Sequence, residues 1–481
     1  MPLRISQSIE LDKCSHRLSL PLLEQIFPRS VIGDLRSSLG RWEQRERKLS
    51  QLVMVYVLLC WHLFAQQSLR SVWLHLSAGL RLVGLLSMEH VPTKNAFLRR
   101  RKQLGVRFFR WLLRRLCTPR ATAQTPGAFA FGYRLTAVDG TLEDVADSAE
   151  NARFFGRLCT GPTASPYPQA RCLYLIEVGT HLILDAIIAP CAASEQRLCW
   201  GLLRSIQAGM LVLFDRGLVS AAFLEALVAQ QAQALARLAS NLFLRREVEL
   251  ADGSYLTTLY PKQCPGLQAP LRVRVVEYFI EPEVAEPLSQ QPPSRTASSR
   301  ASTNPEVKKR HRLITTLLDP ALARALALCL LYHERWEIEL CIDEMKNHLR
   351  LSQHPLRSHL PLLALQEAYA LLLTHYAVRW FMAEAAEAQG ELDADRLSLT
   401  ITVQSVRDAL ILCPLLSADG LPTLLGSLYA SLVAPASLLP PRRLRFNCRV
   451  VKRIQTRFRR KRPEHQNLHL KHTSFADILL M

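Results

Sequence analysis

The stretch GMLVLFDRG, residues 209–217, constrains the fold of this chain more than any other. Five consecutive apolar residues with no polar alternation need cover on both faces, and such strands lie inside mixed or parallel sheets. The run ends in a carboxylate, Asp215, with Gly217 two residues on, where the chain turns away. A second strand repeats the design upstream. Residues 133–139 (YRLTAVD) alternate with a period of two, set Leu135, Ala137 and Asp139 on one side, and meet Asp139-Gly140, where a turn is expected to stop the strand. A single Asp-Gly is an ordinary turn signal. Two strands that each deliver an aspartate to the edge of a sheet are suited to holding a hard cation.

Between them, CLYLIEVGTHLILDAIIAP (172–190) reads as a hairpin turning near Gly179, and Ser194 is placed to cap a following helix. Helix 219–231 and a strand at 233–239 come next. The alternating segments ADGSYLTTLY and LRVRVVEYFI predict a β-rich insertion, and the Ser- and Pro-rich residues 282–308 a loop within it. Residues 312–319 (RLITTLLD) return the chain to the sheet. The order strand-Asp, hairpin, helix, strand-Asp and later helix-Glu is that of an RNase H-like α/β core, a mixed sheet with flanking helices.

The later helix is Tyr332–Leu349, YHERWEIELCIDEMKNHL, which holds no Gly or Pro and is expected to be continuous. At about 100° per residue, Tyr332, Arg335, Glu339 and Lys346 fall within roughly a 60° arc, while Ile338, Ile342, Met345 and Leu349 form a core stripe. The first face, turned outward, offers two cations and a phenol to phosphate oxygens, with a carboxylate that tolerates phosphate when a metal ion stands between. A solvated face with an Arg335–Glu339 pair is the commoner reading for any one helix. Asp343, within about 40° of Glu339 on the same wheel, is the substitute carboxylate.

The spacing of Tyr332, Arg335, Glu339 and Lys346 resembles the Y-R-E-K signature of the IS-four family of insertion-sequence transposases, and the triplets DGT (139–141) and DRG (215–217) resemble the sites of its two aspartates. That resemblance implies a DNA transposase of the DDE class, with Asp139, Asp215 and Glu339 as catalytic residues holding two Mg²⁺ or Mn²⁺ ions. It implies that Tyr332, Arg335 and Lys346 grip a phosphate beside the scissile bond. It also implies cut-and-paste chemistry: nicking at each element end, hairpin formation by the freed 3′-hydroxyl, hairpin opening and strand transfer. The rivals are a structure-specific nuclease on the same core and a DNA-binding repressor from a decayed element. Two stretches depart from the family pattern: the insertion at 282–305, and VADSAEN after Asp139, where a Pro is expected beside the Asp.

Residues 18–120 show helical spacing almost throughout. Leu52–Ala65 is the most apolar run; it contains His62, is too short to span a bilayer, and reads as a buried helix. Thr93 caps a helix that ends at Gly105 and carries Arg99, Arg100, Arg101 and Lys102, with a second helix after it. Charge alone leaves a solvated basic helix and a DNA contact open; the resemblance, to the family's end-binding N-terminal domain, implies that Arg99, Arg100 and Arg101 meet DNA.

A net charge of +19 calls for a polyanionic partner, nucleic acid before membrane. Twelve cysteines without a C-x-x-C pair suit a reduced cytosol, which the resemblance implies is the bacterial cytosol or nucleoid; the N-terminus lacks a leader-like apolar run, and no P-loop is present. Residues 356–386 predict a long apolar helix behind the Glu339 helix, and LRS (356–358) with Gln366-Glu367 also resembles the family. Positions 442–462 carry eleven Lys or Arg and no acid, a polyanion-binding tail, and His465, His469 and His472 read as surface residues. The expected plan is a helical N-terminal domain (1–125), a core in two parts (126–240 and 312–386) around a β-rich insertion (241–311), and a helical, basic C-terminal region (387–481). Double-stranded DNA, at element ends and target, is the expected partner, with a homodimer in the complex and no membrane.

Overall fold

Two units, each built from several separate passes of the chain, divide the fold: residues 1–129, 136–205 and 337–440 form the first, and 130–135, 206–336 and 441–481 the second. The computed structural model describes residues 20–40, 49–82, 88, 91–160, 163–238, 244–280, 310–350, 354–390, 392–415, 420–443 and 479–480. The expectations for 282–308, for the tail beyond 443 and for His465, His469 and His472 lie outside these residues.

In the first unit, strands β1 (Tyr133–Asp144, opening in the second unit), β2 (Gln169–Glu177) and β3 (Ile183–Pro190) pair antiparallel with β2 central. The Pro361–Glu387 helix is apolar enough to be buried on nearly every side, and Pro361 sits in its first turn, where a missing N–H costs nothing. Around it pack the helices Gln51–Trp61, Lys94–Leu116, Leu399–Leu412 and Gly420–Val433. The Gln51–Trp61 helix is buried as its composition requires, and Ser50 caps it at Val53 N. Thr93 accepts from Ala96 N, and Gly105, at φ +68°, breaks the Lys94–Leu116 segment into the two expected helices.

In the second unit, β4 (Met210–Phe214) lies parallel to β5 (Gln233–Arg237), with the Ala221–Ala229 helix between them in sequence. Three more strands, β7 (Tyr255–Leu259), β8 (Leu271–Ile280) and β9 (Arg310–Thr315), follow the short β6 (Val248–Glu249). The order is β4-β5-β9-β8-β7-β6, every pair after the first antiparallel, so the β-rich segments continue a mixed sheet. All five residues of β4 are buried, which is why no polar alternation occurs there.

Two expectations need correction. Strand β1 does not stop at Asp139-Gly140 but runs on to Asp144, because its pairing with β2 is unbroken from Thr136↔Glu177 to Asp144↔Gln169. Gly140 serves here as a gap for a neighbour: a Cβ at this position would meet the Glu195 carboxylate at 2.8 Å. Nor is Tyr332–Leu349 one helix. An α-helix ends at His333, a turn occupies Glu334 and Arg335, a second α-helix spans Trp336–Asp343, and Glu344–Leu349 is π-helical. A wheel of fixed pitch cannot represent that sequence of pitches. Among the described residues no helix is long and apolar enough to cross a membrane.

Candidate active site

In the second unit, Asp215 follows the buried end of β4 and is partly exposed, with the turn closed by Leu218 N on its carbonyl at 3.4 Å and by Gly217 at φ +91°. A cavity of about 130 Å³ beside it is lined by Ser220, Arg237, Leu259 and Cys264, among others. Tyr332 does not face outward: it is 9% exposed, and its hydroxyl donates to the Phe214 carbonyl at 3.1 Å, one residue before Asp215. Burial pushes that phenol well above its usual range. Arg335 is 6% exposed, with its guanidinium 6.0 Å and 5.8 Å from the ring centres of Tyr332 and Trp336. The expected outward phosphate face therefore fails for these two residues, because the helix breaks between them and Glu339. Arg443 donates to Glu334 at this break, at 2.7 Å.

In the first unit, Asp139 is partly exposed in the middle of β1, accepting from Gly140 N at 2.7 Å. Glu339 is partly exposed on the Trp336–Asp343 helix. The π-helical end of that segment is lashed to β1 just beyond Asp139. Lys346 Nζ donates to Thr141 Oγ1 at 2.6 Å and to the Leu142 carbonyl at 2.7 Å, and Arg350 pairs with Glu143. The Lys346 side chain remains 29% exposed, with its ammonium 3.8 Å from Glu143 Oε1. Asp343 is more exposed, at 47%, and lies 3.5 Å from His348.

Beneath Glu339 lies a cluster that sequence reasoning missed. Glu344 is buried, receives a two-pronged contact from Arg379, and accepts from His375 Nε2 at 2.8 Å. Burial alone would raise its carboxyl, but the Arg379 guanidinium beside it holds it well below the usual carboxylate range. His181 reaches Glu337 at 2.7 Å and Arg379 at 2.5 Å, and Asp395 lies 3.5 Å from the same ring. Two sets of ligating types arise here, Cys341–Glu344–His375 and His181–Glu337–Asp395, each with donor atoms within 4.8 Å of one another. Neither contains Asp139, Asp215 or Glu339. The available signal was His375 and Arg379, one helical turn apart in the apolar second half of the Pro361–Glu387 helix, before Glu384.

The basic segment divides residue by residue. Arg99 and Lys102 are exposed, but Arg100 and Arg101 are each 5% exposed. Arg100 donates to the Leu49 carbonyl at 2.6 Å; Arg101 bonds Gln366, Ser358 and the Leu363 carbonyl and stacks over Trp61. Their assignment to DNA is withdrawn, since the guanidinium donors are already spent inside the unit. The same contacts explain LRS and Gln366-Glu367: Arg357 N donates to Glu367 Oε1 at 2.9 Å, and Ser358 Oγ to Oε2.

The mixed sheet with flanking helices is an RNase H-like core, and comparison with known proteins gives the family. Residues 17–114 match the insertion element 4 transposase N-terminal family, and residues 130–366 match the transposase DDE domain. The chain is 25% identical over 464 residues to the Escherichia coli K12 transposase InsG for insertion sequence element IS4, covering 94% of this chain and 96% of that one. It is 29% identical over 130 residues to the putative transposase InsZ of the same organism, 26% of this chain and 42% of that protein. A piggyBac transposase synaptic complex with hairpin DNA aligns over 88% of this chain and 86% of its own, at 10% identity and a TM-score of 0.45. The chain belongs to the IS4 family of DDE transposases: an insertion-sequence DNA transposase, a metal-dependent enzyme of DNA phosphoryl transfer on an RNase H-like core.

Proposed function

We propose that this transposase excises and inserts its element by cut-and-paste, with Asp139, Asp215 and Glu339 as the carboxylates that hold two divalent ions, Mg²⁺ or Mn²⁺. The observation that carries the reading is placement: each carboxylate stands partly exposed on or beside a buried element, Asp139 on β1, Asp215 at the end of β4, Glu339 on a helix tied to β1 through Lys346. Oxygen-only donors on rigid elements fit a hard cation. When bound, such ions activate a water or 3′-hydroxyl and stabilise the leaving oxygen of an in-line displacement.

The protein groups divide the remaining work. Tyr332 fixes the end of β4, so that Asp215 leaves the strand at a set angle. Lys346 holds the helix end against β1 and offers its positive charge to a phosphate oxygen. Arg99 contacts the element end. The partner is double-stranded DNA, bound by a homodimer in the bacterial cytosol or nucleoid, and the freed 3′-hydroxyl attacks the opposite strand to give a hairpin that is opened before insertion.

The test is alanine substitution of each carboxylate, assayed on a plasmid carrying the element with its native flanking DNA. Each variant is expected to lose cleavage while DNA retention in gel shift persists. Metal-dependent cleavage surviving in Asp215→Ala removes that residue from the site. Cleavage without strand transfer in the parent chain returns the nuclease reading.

A further inference from the structure

The buried cluster in the first unit has no place in the chemistry above, yet its geometry bears on one catalytic residue. We propose that a charge bridge centred on His181 and Arg379 is the device that sets where Glu339 stands relative to Asp139. This rests on the reading of Glu339 and Asp139 as metal-holding carboxylates.

Glu337 and Glu344 bracket Glu339 on the same segment, two residues before it and five after. Both are under 8% exposed, whereas Glu339 is partly exposed. The hairpin turn between β2 and β3 supplies His181, which is fully buried. Arg379 donates to its Nδ1 at 2.5 Å, so the ring proton stands on Nε2 and goes to Glu337 Oε2 at 2.7 Å. Arg379 also forks onto Glu344, and His375, one turn earlier on the Pro361–Glu387 helix, donates to that carboxylate at 2.8 Å. The segment bearing Glu339 is thus gripped on both sides, from the hairpin and from the helix behind it.

The hairpin is the same element that positions Asp139. Its strand β2 pairs with β1 so that Tyr174 lies opposite Asp139, and seven residues later the chain reaches His181. One continuous piece of backbone therefore references both carboxylates. His181 pays a local conformational cost for this, standing at φ +58°, a region that non-glycine residues adopt rarely and chiefly where surrounding contacts demand it. The π-helical turn begins at Glu344, the residue the bridge holds. A metal ion is not the better occupant of the cluster, since the Arg379 guanidinium already lies 2.5 Å from His181 Nδ1 and 3.6 Å from Asp395 Oδ1, where a dication would meet a buried cation.

The test is a Mn²⁺ titration of the full chain, read as bound metal by electron paramagnetic resonance and as cleavage of the native-flank plasmid. The variants are His181→Asn, whose side chain tolerates positive φ but cannot span the gap, and Glu344→Gln, which keeps shape and loses charge. Each is expected to raise the half-saturating Mn²⁺ concentration by about 10-fold, the lower end of what loss of a ligand's supporting contact costs. A purely structural role lowers the amount of active protein without moving that midpoint. If either variant does not fold, Glu337→Gln, which keeps an acceptor for His181, is expected to move the midpoint in the same direction by a smaller factor. Glu339→Gln separates the two layers of argument. If Glu339→Gln binds Mn²⁺ and cleaves as the parent does, the underlying site assignment is wrong. If it fails while the bridge variants titrate like the parent, the site stands and the bridge is overturned.

Discussion

In the second unit the anchors end on backbone or on polar groups that keep other partners. The Tyr332 hydroxyl donates to the Phe214 carbonyl; Arg274, fully buried, donates to Ser254 Oγ at 2.8 Å and the Ala323 carbonyl at 2.6 Å and pairs with Asp252, which accepts from Ala325 N at the start of the Ala325–His333 helix. In the first unit they end on charge: Glu337 and Glu344 against His181, His375 and Arg379. A side chain that grips backbone loses one hydrogen bond when removed. A buried charge that grips another leaves its partner uncompensated, so removal of one side costs far more than the pair contributes. The first unit should therefore be the more sensitive to single substitutions and to acid.

Arg379→Ala gives the sharpest break. It strands Glu344 in the interior and is expected to cost about 3–5 kcal/mol in urea unfolding, with much of that recovered in Arg379→Ala/Glu344→Gln. A loss under about 1 kcal/mol, within the range of exposed pairs, would end the contrast between the units. Arg274→Ala in the second unit should cost less, about 2–3 kcal/mol, because the Asp252 side chain is 19% exposed and keeps its other partners.

Acid offers the third comparison. Burial pushes His62 in the first unit down to about 3. Its folded pKa thus lies below its unfolded value, so the unfolded chain takes up the proton first, and stability present above that unfolded value is lost as pH falls through the window. From an unfolded pKa of about 6.5, the loss by pH 5 is about 2 kcal/mol. Hydrogen exchange resolved by residue should show it in the first unit, and His62→Gln should flatten it. The smallest effect is Tyr332→Phe, expected to cost about 1 kcal/mol as one hydrogen bond. Abolished cleavage with unchanged stability would instead restore Tyr332 to the substrate.

The apolar run of β4, the hairpin, Thr93 and Gly105 were legible because each depends on a few neighbouring residues. The strands and helix that carry Asp139, Asp215 and Glu339 were legible as elements, although β1 runs past Asp139. What escaped depends on partners remote in sequence. A run of Arg99, Arg100 and Arg101 reads as surface until Leu49, Ser358 and Gln366 claim two of the three side chains. Gly140 reads as a turn until β2 pairs straight past it. The face of Tyr332 and Arg335 was drawn on a wheel that the break at Glu334 and the π-turn at Glu344 do not obey.

That π-turn can be viewed as a one-residue insertion kept in the gene. Deleting a residue within 344–349 would restore an ordinary helical repeat and local hydrogen bonding, and by isolated-helix criteria would be an improvement. Keeping all six residues but winding them at ordinary α-helical pitch would instead swing the chain beyond them by about 100°, carrying Arg350 off Glu143. The count of residues between Glu339 and Lys346 therefore works as a phase setting. Pitch and residue count must agree, and a substitution that turns the segment α-helical without removing a residue should loosen the Arg350–Glu143 pair more than a one-residue deletion does.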